Sequence, residues 1–225
     1  MSKLSRPIHK VVQRHSRSRQ RRAKVLRKVA KLHDFLYFGS IHREDDIEPI
    51  HGFTASVTHV DQHFSVGQLD DYAVRIVDRF DTHNINVAGP RTQMWTIVEI
   101  SLLSRNVPHI FLIPTGESAK EYQRVFRSHY QLQPLNATLL RQHSPEVHGR
   151  FQILAPTSRM LDVEGLLTTS LVMGIASRFW PHGIEIKGDK LYLYLTDHRL
   201  SETMVSSVIA SGLWLAQSID DSLDN

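Results

Sequence analysis

Residues 184–195 read IEIKGDKLYLYL, and this stretch decides the fold class. Apolar and polar residues alternate from Ile184 to Lys187, and leucine alternates with tyrosine from Leu191 to Leu195. Gly188 and Asp189 lie between these runs and are typical of a two-residue β-turn. The stretch therefore predicts a β-hairpin, the clearest in the chain.

The segments on either side of the hairpin predict more strands and three helices. Runs rich in β-branched and aromatic residues predict strands over 53–58, 63–66, 72–80, 94–100, 109–113 and 151–155. Apolar residues at helical intervals predict helices over 118–129, 160–179 with a break near Gly165, and 201–223. The early strands are separated by gaps too short for the helical crossovers of a parallel sheet. We therefore expect an α+β fold, with a mostly antiparallel sheet and helices packed on one face.

The charge of the chain is distributed very unevenly. Twelve of its 27 Lys and Arg residues fall within the first 31 positions, and all 23 Asp and Glu residues come later. The start therefore carries a formal charge of +12, and the rest, with 15 basic and 23 acidic residues, carries −8. Such a start is expected to seek a polyanion, an anionic lipid surface or an acidic protein face.

The basic segment is predicted to be an amphipathic helix. Val25, Leu26, Val29, Leu32 and Leu36 lie on one helical face, which predicts a helix over about 18–37 that ends before Gly39. We expect residues 1–38 to form a basic helical arm. An acidic linker should join this arm to an α+β domain over 50–225, with a sub-boundary near 131–150.

Three roles are open for the arm. Its apolar face can dock on the body, it can contact nucleic acid, or it can contact a membrane surface. The candidate anion-binding residues are Arg14, Arg17, Arg19, Arg21, Arg22, Lys24, Arg27, Lys28 and Lys31. An acidic segment of the chain or of a protein partner would compete for the same charges.

The second half of the chain resembles a bacterial domain-of-unknown-function family (number 3137). The resemblance is carried by Phe151–Ala155, the Leu-Leu-Thr sequence at 166–168, the hairpin and the closing helix. Members of that family generally look like soluble domains attached to membrane segments. In place of a transmembrane segment, the sequence of this chain offers only the basic amphipathic arm. The resemblance implies a fold and transfers no catalytic residues.

Histidine and aspartate near position 60 raise a metal-site hypothesis. His59, Asp61 and His63 alternate, so an uninterrupted strand would place them on one face as a divalent-metal site requires. Asp61 and Gln62 are also a turn signal, and a turn there would pair Val60 with His63 and disperse the set. A metal-dependent hydrolase centred on these residues is one alternative function.

Several function classes are excluded or disfavoured by the sequence. The chain has no cysteine, so thiolate nucleophiles and Cys-ligated zinc are excluded. Neither a Gly-x-Ser-x-Gly elbow nor a phosphate-binding glycine loop occurs, and no cofactor is expected. No apolar stretch is long enough to span a bilayer, and none follows the basic start as in a secretory signal.

We therefore expect a non-catalytic interaction module whose arm targets an anionic surface. The expected location is the bacterial cytoplasm, peripheral to the inner face of the membrane if the surface is lipid. An accessory protein that binds RNA or DNA is the other alternative. The oligomeric state cannot be read from the sequence.

Overall fold

A computed structural model describes residues 5–40, 50–52, 59–85, 89–116, 122, 131–135, 145–196 and 200–223, with side chains of the first helix from Arg19 onward. The helices are α1 (Ser5–Leu32), α2 (Pro145–Arg150), α3 (Met160–Leu166), α4 (Thr169–Phe179) and α5 (Glu202–Leu223). The strands are β1 (Leu36–Ser40), β2 (Val60–Leu69), β3 (Tyr72–Ile85), β4 (Gly89–Ser101), β5 (Val107–Pro114), β6 (Gln133–Pro134), β7 (Phe151–Ala155), β8 (Gly183–Gly188) and β9 (Lys190–Leu195).

Within these residues nine strands form one sheet in the order β1-β2-β3-β4-β9-β8-β5-β7-β6, and every pairing is antiparallel. The predicted hairpin is confirmed, because Lys187 pairs with Lys190 across the turn at Gly188 and Asp189. It lies in the middle of the sheet, where β9 pairs with β4 and β8 pairs with β5.

Each face of the sheet has its own apolar cluster. On the first face, residues of α1, α3, α4 and α5 pack with alternate residues of the strands, such as Ile100 and Leu193. On the second face, the cluster is aromatic and includes Trp95, Tyr122 and Tyr194. The predicted α+β class, with helices packed on one face of an antiparallel sheet, is confirmed.

The helix boundaries follow local capping. The long apolar segment after position 160 breaks at Leu167 and Thr168, and the Thr168 hydroxyl accepts the N–H of Leu171 at the start of α4. Ser201 caps α5 in the same way by accepting the N–H of Met204. The break therefore occurs two residues beyond the predicted position at Gly165.

Two local predictions near the N-terminus differ from the structure. The first helix ends at Leu32 rather than before Gly39, and the next residues form the edge strand β1. The chain also does not turn at Asp61 and Gln62, because β2 continues to Leu69. Of the other predicted elements, the strand over 53–58 lies outside the described residues, and of the helix over 118–129 only Tyr122 is described.

Among the described helices, no single one is long and apolar enough to cross a bilayer. Residues 157–166 and 169–179 meet the length and composition criteria only as a pair bent by 87°. Several apolar residues of this pair belong to the core, where Val163 and Ile175 are fully buried, whereas Leu161 and Met173 are exposed.

Candidate anion-binding surface

In the C-terminal half of α1, one side of the helix packs in the core and the opposite side faces solvent. Leu26, Val29 and Ala30 are at most 1% exposed and belong to the cluster on the first face of the sheet. The opposite side of the helix carries exposed cations: Arg21, Lys24, Arg27, Lys28 and Lys31. For this part of the helix, docking of the apolar face on the body is therefore the arrangement adopted.

Arg22 does not belong to the exposed set predicted from the sequence. Its side chain is 2% exposed and forms a bidentate pair with Asp78, with Nε to Oδ2 at 2.8 Å and Nη2 to Oδ1 at 2.7 Å. The hydroxyl of Thr96 accepts from Arg22 at 2.5 Å and donates to Asp78 at 2.6 Å. Because Arg22 is neutralised inside the protein, it is unavailable to an external anion.

Other cations of the set contact the body from the rim of the helix. The Arg19 guanidinium lies 4.8 Å from the centre of the Phe80 ring, and that of Arg27 lies 5.3 Å from the centre of the Tyr37 ring. Lys28 forms an exposed ion pair with Glu202 at 3.3 Å, a type worth little in water.

Arg21, Lys24 and Lys31 have no ion-pair partner in the described part of the chain. Arg14 and Arg17 lie within α1, but their side chains are outside the described residues. The surface available to an anion is therefore the outward side of α1, which we call the α1 surface: Arg21, Lys24, Arg27, Lys28 and Lys31.

The structure places the three residues of the predicted metal site in different surroundings. The Asp61 carboxylate is held by Arg79, with Nε to Oδ1 at 2.8 Å and Nη2 to Oδ2 at 2.7 Å, and His59 Nε2 lies 3.8 Å from Asp61 Oδ2. His63 has a φ of +58° at a bulge in β2, and its Nδ1 lies 2.8 Å from the hydroxyl of Tyr37. Across the described ranges, no three His, Asp or Glu residues are grouped to hold an ion. The bulge breaks the alternation on which the metal hypothesis relied.

His63 lies beside the buried ion pair under α1. Burial lowers the pKa of its imidazole below the ordinary value of 6.5. The nearby Asp78 carboxylate acts in the opposite direction, whereas the guanidinium groups of Arg22 and Arg27 add to the lowering. The lowered pKa favours the neutral imidazole of His63 at the contact between α1 and the sheet.

Sequence reasoning missed a row of polar residues on the second face. Arg75 pairs with Glu99 on the next strand, with Nε to Oε1 at 2.6 Å. Further along the row, Glu185 accepts from the Tyr194 hydroxyl at 2.5 Å and lies 2.7 Å from Nε2 of His109. Both carboxylates are almost fully buried, and each contacts a group that stabilises its charge.

Tyr192 lies between the two carboxylates in the strand register, opposite Glu99 on one side and Glu185 on the other. Burial, followed by these two negative charges, raises the pKa of its phenol far above the ordinary value. The alternation of β8 and β9 in the sequence was the available signal for this row. The pairing of β9 with β4, which places Glu99 beside Tyr192, had no such signal.

Comparison with known proteins gives a fold relationship. No family model matches the chain, and no curated protein matches it by sequence. The crystal structure of the mycobacterial trehalose monomycolate transport factor A, TtfA, is similar, with a TM-score of 0.57 and 11% sequence identity. The match covers 89% of this chain and 93% of that chain, so the fold is shared over nearly the whole length.

Proposed function

We propose that this protein is a non-catalytic module that binds an anionic membrane surface through the α1 surface. The observation that carries the proposal is the division of α1: one side is fixed in the core, and the other holds five exposed cations in one helix. A helix fixed in this way presents its charges without first having to fold, which reduces the entropy lost on binding.

The arrangement favours a lipid surface over nucleic acid. The cations lie along the outside of a helical layer, and Leu32, which is 61% exposed, lies at the end of the same helix. Basic helices with neighbouring apolar residues are typical of peripheral contact with anionic headgroups. The transport factor that shares the fold is named for trehalose monomycolate, which supports a lipid-related role.

The expected affinity can be estimated from the charges. Each Lys or Arg close to an anionic leaflet contributes about 1 kcal/mol, and the effect decreases with added salt. Removing two of the five cations should therefore weaken binding by about 30-fold at low ionic strength. The predicted location at the inner face of the bacterial membrane is part of the same proposal.

Point substitutions test the proposal better than deletion of α1, because deletion would remove the core residues Leu26 and Val29. The variant Arg21→Gln/Lys24→Gln should bind phosphatidylglycerol-containing vesicles about 30-fold more weakly than the unmodified chain. The matched control, Arg105→Gln/Lys187→Gln, removes an exposed arginine and an exposed lysine elsewhere and should bind nearly normally.

Vesicle co-sedimentation over a salt series would measure both variants, with phosphatidylcholine vesicles as the neutral comparison. Equal binding of the two variants would contradict the role of the α1 surface. RNA and single-stranded DNA of defined length belong in the same experiment. Saturable binding to them, without binding to anionic vesicles, would support the nucleic-acid alternative instead.

A further inference from the structure

The helical layer has a second unusual surface, at α4. Met173 and Trp180 are each 50% exposed, although large apolar side chains are more often buried. Arg178 is exposed near the C-terminal end of the same helix, two residues before Trp180, and its guanidinium lies 4.6 Å from the centre of the Trp214 ring. We call these residues the α4 patch: Met173, Arg178, Trp180 and Trp214.

The packing of α5 against α4 holds Trp214 in this patch. A Cβ atom at Gly174 would lie 2.4 Å from the Trp214 ring, so only glycine allows the indole to lie this close to the backbone of α4. One side of the ring therefore contacts α4, and Arg178 lies over the ring. Such stacking keeps an arginine on an apolar surface while its charge remains accessible.

The α4 patch and the α1 surface belong to the same helical layer. α5 packs against both helices. It contacts α1 through Lys28 to Glu202 at 3.3 Å, and it contacts His33, the residue after α1, through Ser206 at 3.1 Å. Its exposed residues between positions 203 and 217 are uncharged, namely Thr203, Ser207, Ala210 and Gln217, and the exposed Asp221 follows one turn later. The outer side of the layer thus has cations at one edge, neutral residues in the middle and an aromatic and basic patch at the other edge.

This distribution matches the chemistry of a membrane interface. Tryptophan is enriched where headgroups meet the apolar region, because its ring is apolar and its N–H is polar. Arginine beside it can bind headgroup phosphate with a planar, bidentate geometry. A lipid surface is the occupant that uses the cations of α1, the neutral middle and the aromatic edge together.

We propose that the α4 patch is a second contact site for the anionic lipid surface, with Trp180 and Met173 entering the headgroup region. The proposal rests on the proposed function of the α1 surface and adds an apolar component to it. The α1 surface supplies attraction that salt screens, whereas the α4 patch supplies apolar burial that salt leaves intact.

The test uses the full chain with phosphatidylglycerol-containing vesicles. The variant Met173→Gln/Trp180→Gln should bind roughly tenfold more weakly, and this ratio should be the same at low and high salt. The matched control, Leu103→Gln/Leu161→Gln, replaces two exposed leucines elsewhere and should bind as the unmodified chain does. Far-UV circular dichroism establishes that all variants are folded.

A second measurement reports on Trp180 directly. Lipids brominated near the headgroup should quench part of the tryptophan emission of the unmodified chain, and less of it in Trp180→Gln. Trp95 is 1% exposed and should not be quenched.

The outcomes separate the two proposals. Normal binding and unchanged quenching in the α4 variant, with weakened binding in Arg21→Gln/Lys24→Gln, would overturn the α4 contact and leave the α1 surface intact. No vesicle binding by the unmodified chain would overturn both. If the α4 substitutions instead converted a dimer into a monomer by size-exclusion chromatography with light scattering, the patch would be an interface between copies, and the lipid contact would be wrong.

Discussion

Replacing Arg22 by methionine tests whether a buried ion pair fixes α1 to the sheet. Methionine keeps an unbranched apolar side chain but removes the guanidinium from Asp78, which is 1% exposed. Removing one partner of a buried ion pair costs about 3–5 kcal/mol, because the other charge is left in an apolar environment. A domain has only about 5–15 kcal/mol of stability, so the midpoint of unfolding should fall markedly.

Two further variants make the result specific to the ion pair. Arg22→Met/Asp78→Leu removes both charges and should be more stable than Arg22→Met alone, since no unpaired charge remains. Lys28→Met breaks the exposed pair with Glu202 and should cost less than about 1 kcal/mol. Urea unfolding, followed by tryptophan fluorescence and far-UV circular dichroism, measures all three. A loss below 1 kcal/mol for Arg22→Met, or a double variant no more stable than it, would refute the reasoning.

Four other outcomes follow from the structure. Burial lowers the pKa of His63, so the unfolded chain binds more protons than the folded one just below pH 6.5. The stability present above pH 6.5 should therefore be lost as the pH falls through this window. The loss should be smaller in His63→Gln, and urea midpoints measured across this pH range would show the difference. Gly174→Ala should lower the melting temperature, because its methyl group would meet the ring of Trp214. A methyl group at Gly165 in α3 would meet open space, so Gly165→Ala should raise the free energy of unfolding by roughly 0.5–1 kcal/mol. Equal changes in melting temperature for the two glycine variants would contradict the close packing of Trp214 on Gly174. Burial raises the pKa of Tyr72 to about 12, so the ultraviolet difference between the unmodified chain and Tyr72→Phe should show no phenolate titrating near pH 10.

Local sequence patterns were sufficient for the elements whose structure is decided by nearby residues. The hairpin over 184–195 has a turn sequence between two alternating runs, and α5 has apolar residues at helical spacing after a capping serine. The break between α3 and α4 was also visible, although its position is decided by the Thr168 cap rather than by Gly165. These features depend on interactions between residues close in the chain.

The order of the strands could not be predicted in the same way. The C-terminal hairpin lies between β4 and β5, which follow each other directly in the sequence. Nothing local to Ile97 or Tyr194 indicates that their strands pair, because the pairing buries surfaces supplied by distant segments. The same reason explains why the row formed by Glu99 and Glu185 was missed.

The error at Leu36 has a physical cause. Leu36 continues the helical spacing of Leu32, so the sequence pattern extends the helix. In the structure Phe35 is buried and Leu36 is 67% exposed, because the chain turns at Asp34, with a φ of +58°, and enters β1. The backbone hydrogen bonds of these residues could be made either in a longer helix or by pairing of β1 with β2. The pairing with β2 is a tertiary interaction, and it overrides the local helical preference.

The burial of Arg22, by contrast, has a signal in the sequence. Arg22 lies four residues before Leu26 and seven before Val29, so the helical period places it on the buried side of α1. Asp78 follows Val74 and Ile76 in the alternation of β3, so it also lies on a buried face. A cation and an anion at core positions of two elements are costly unless they pair, and pairing is what the structure contains. The formal charge of +12 at the start of the chain is therefore not the number of cations at its surface. The helical period decides which of these cations can reach a partner outside the protein.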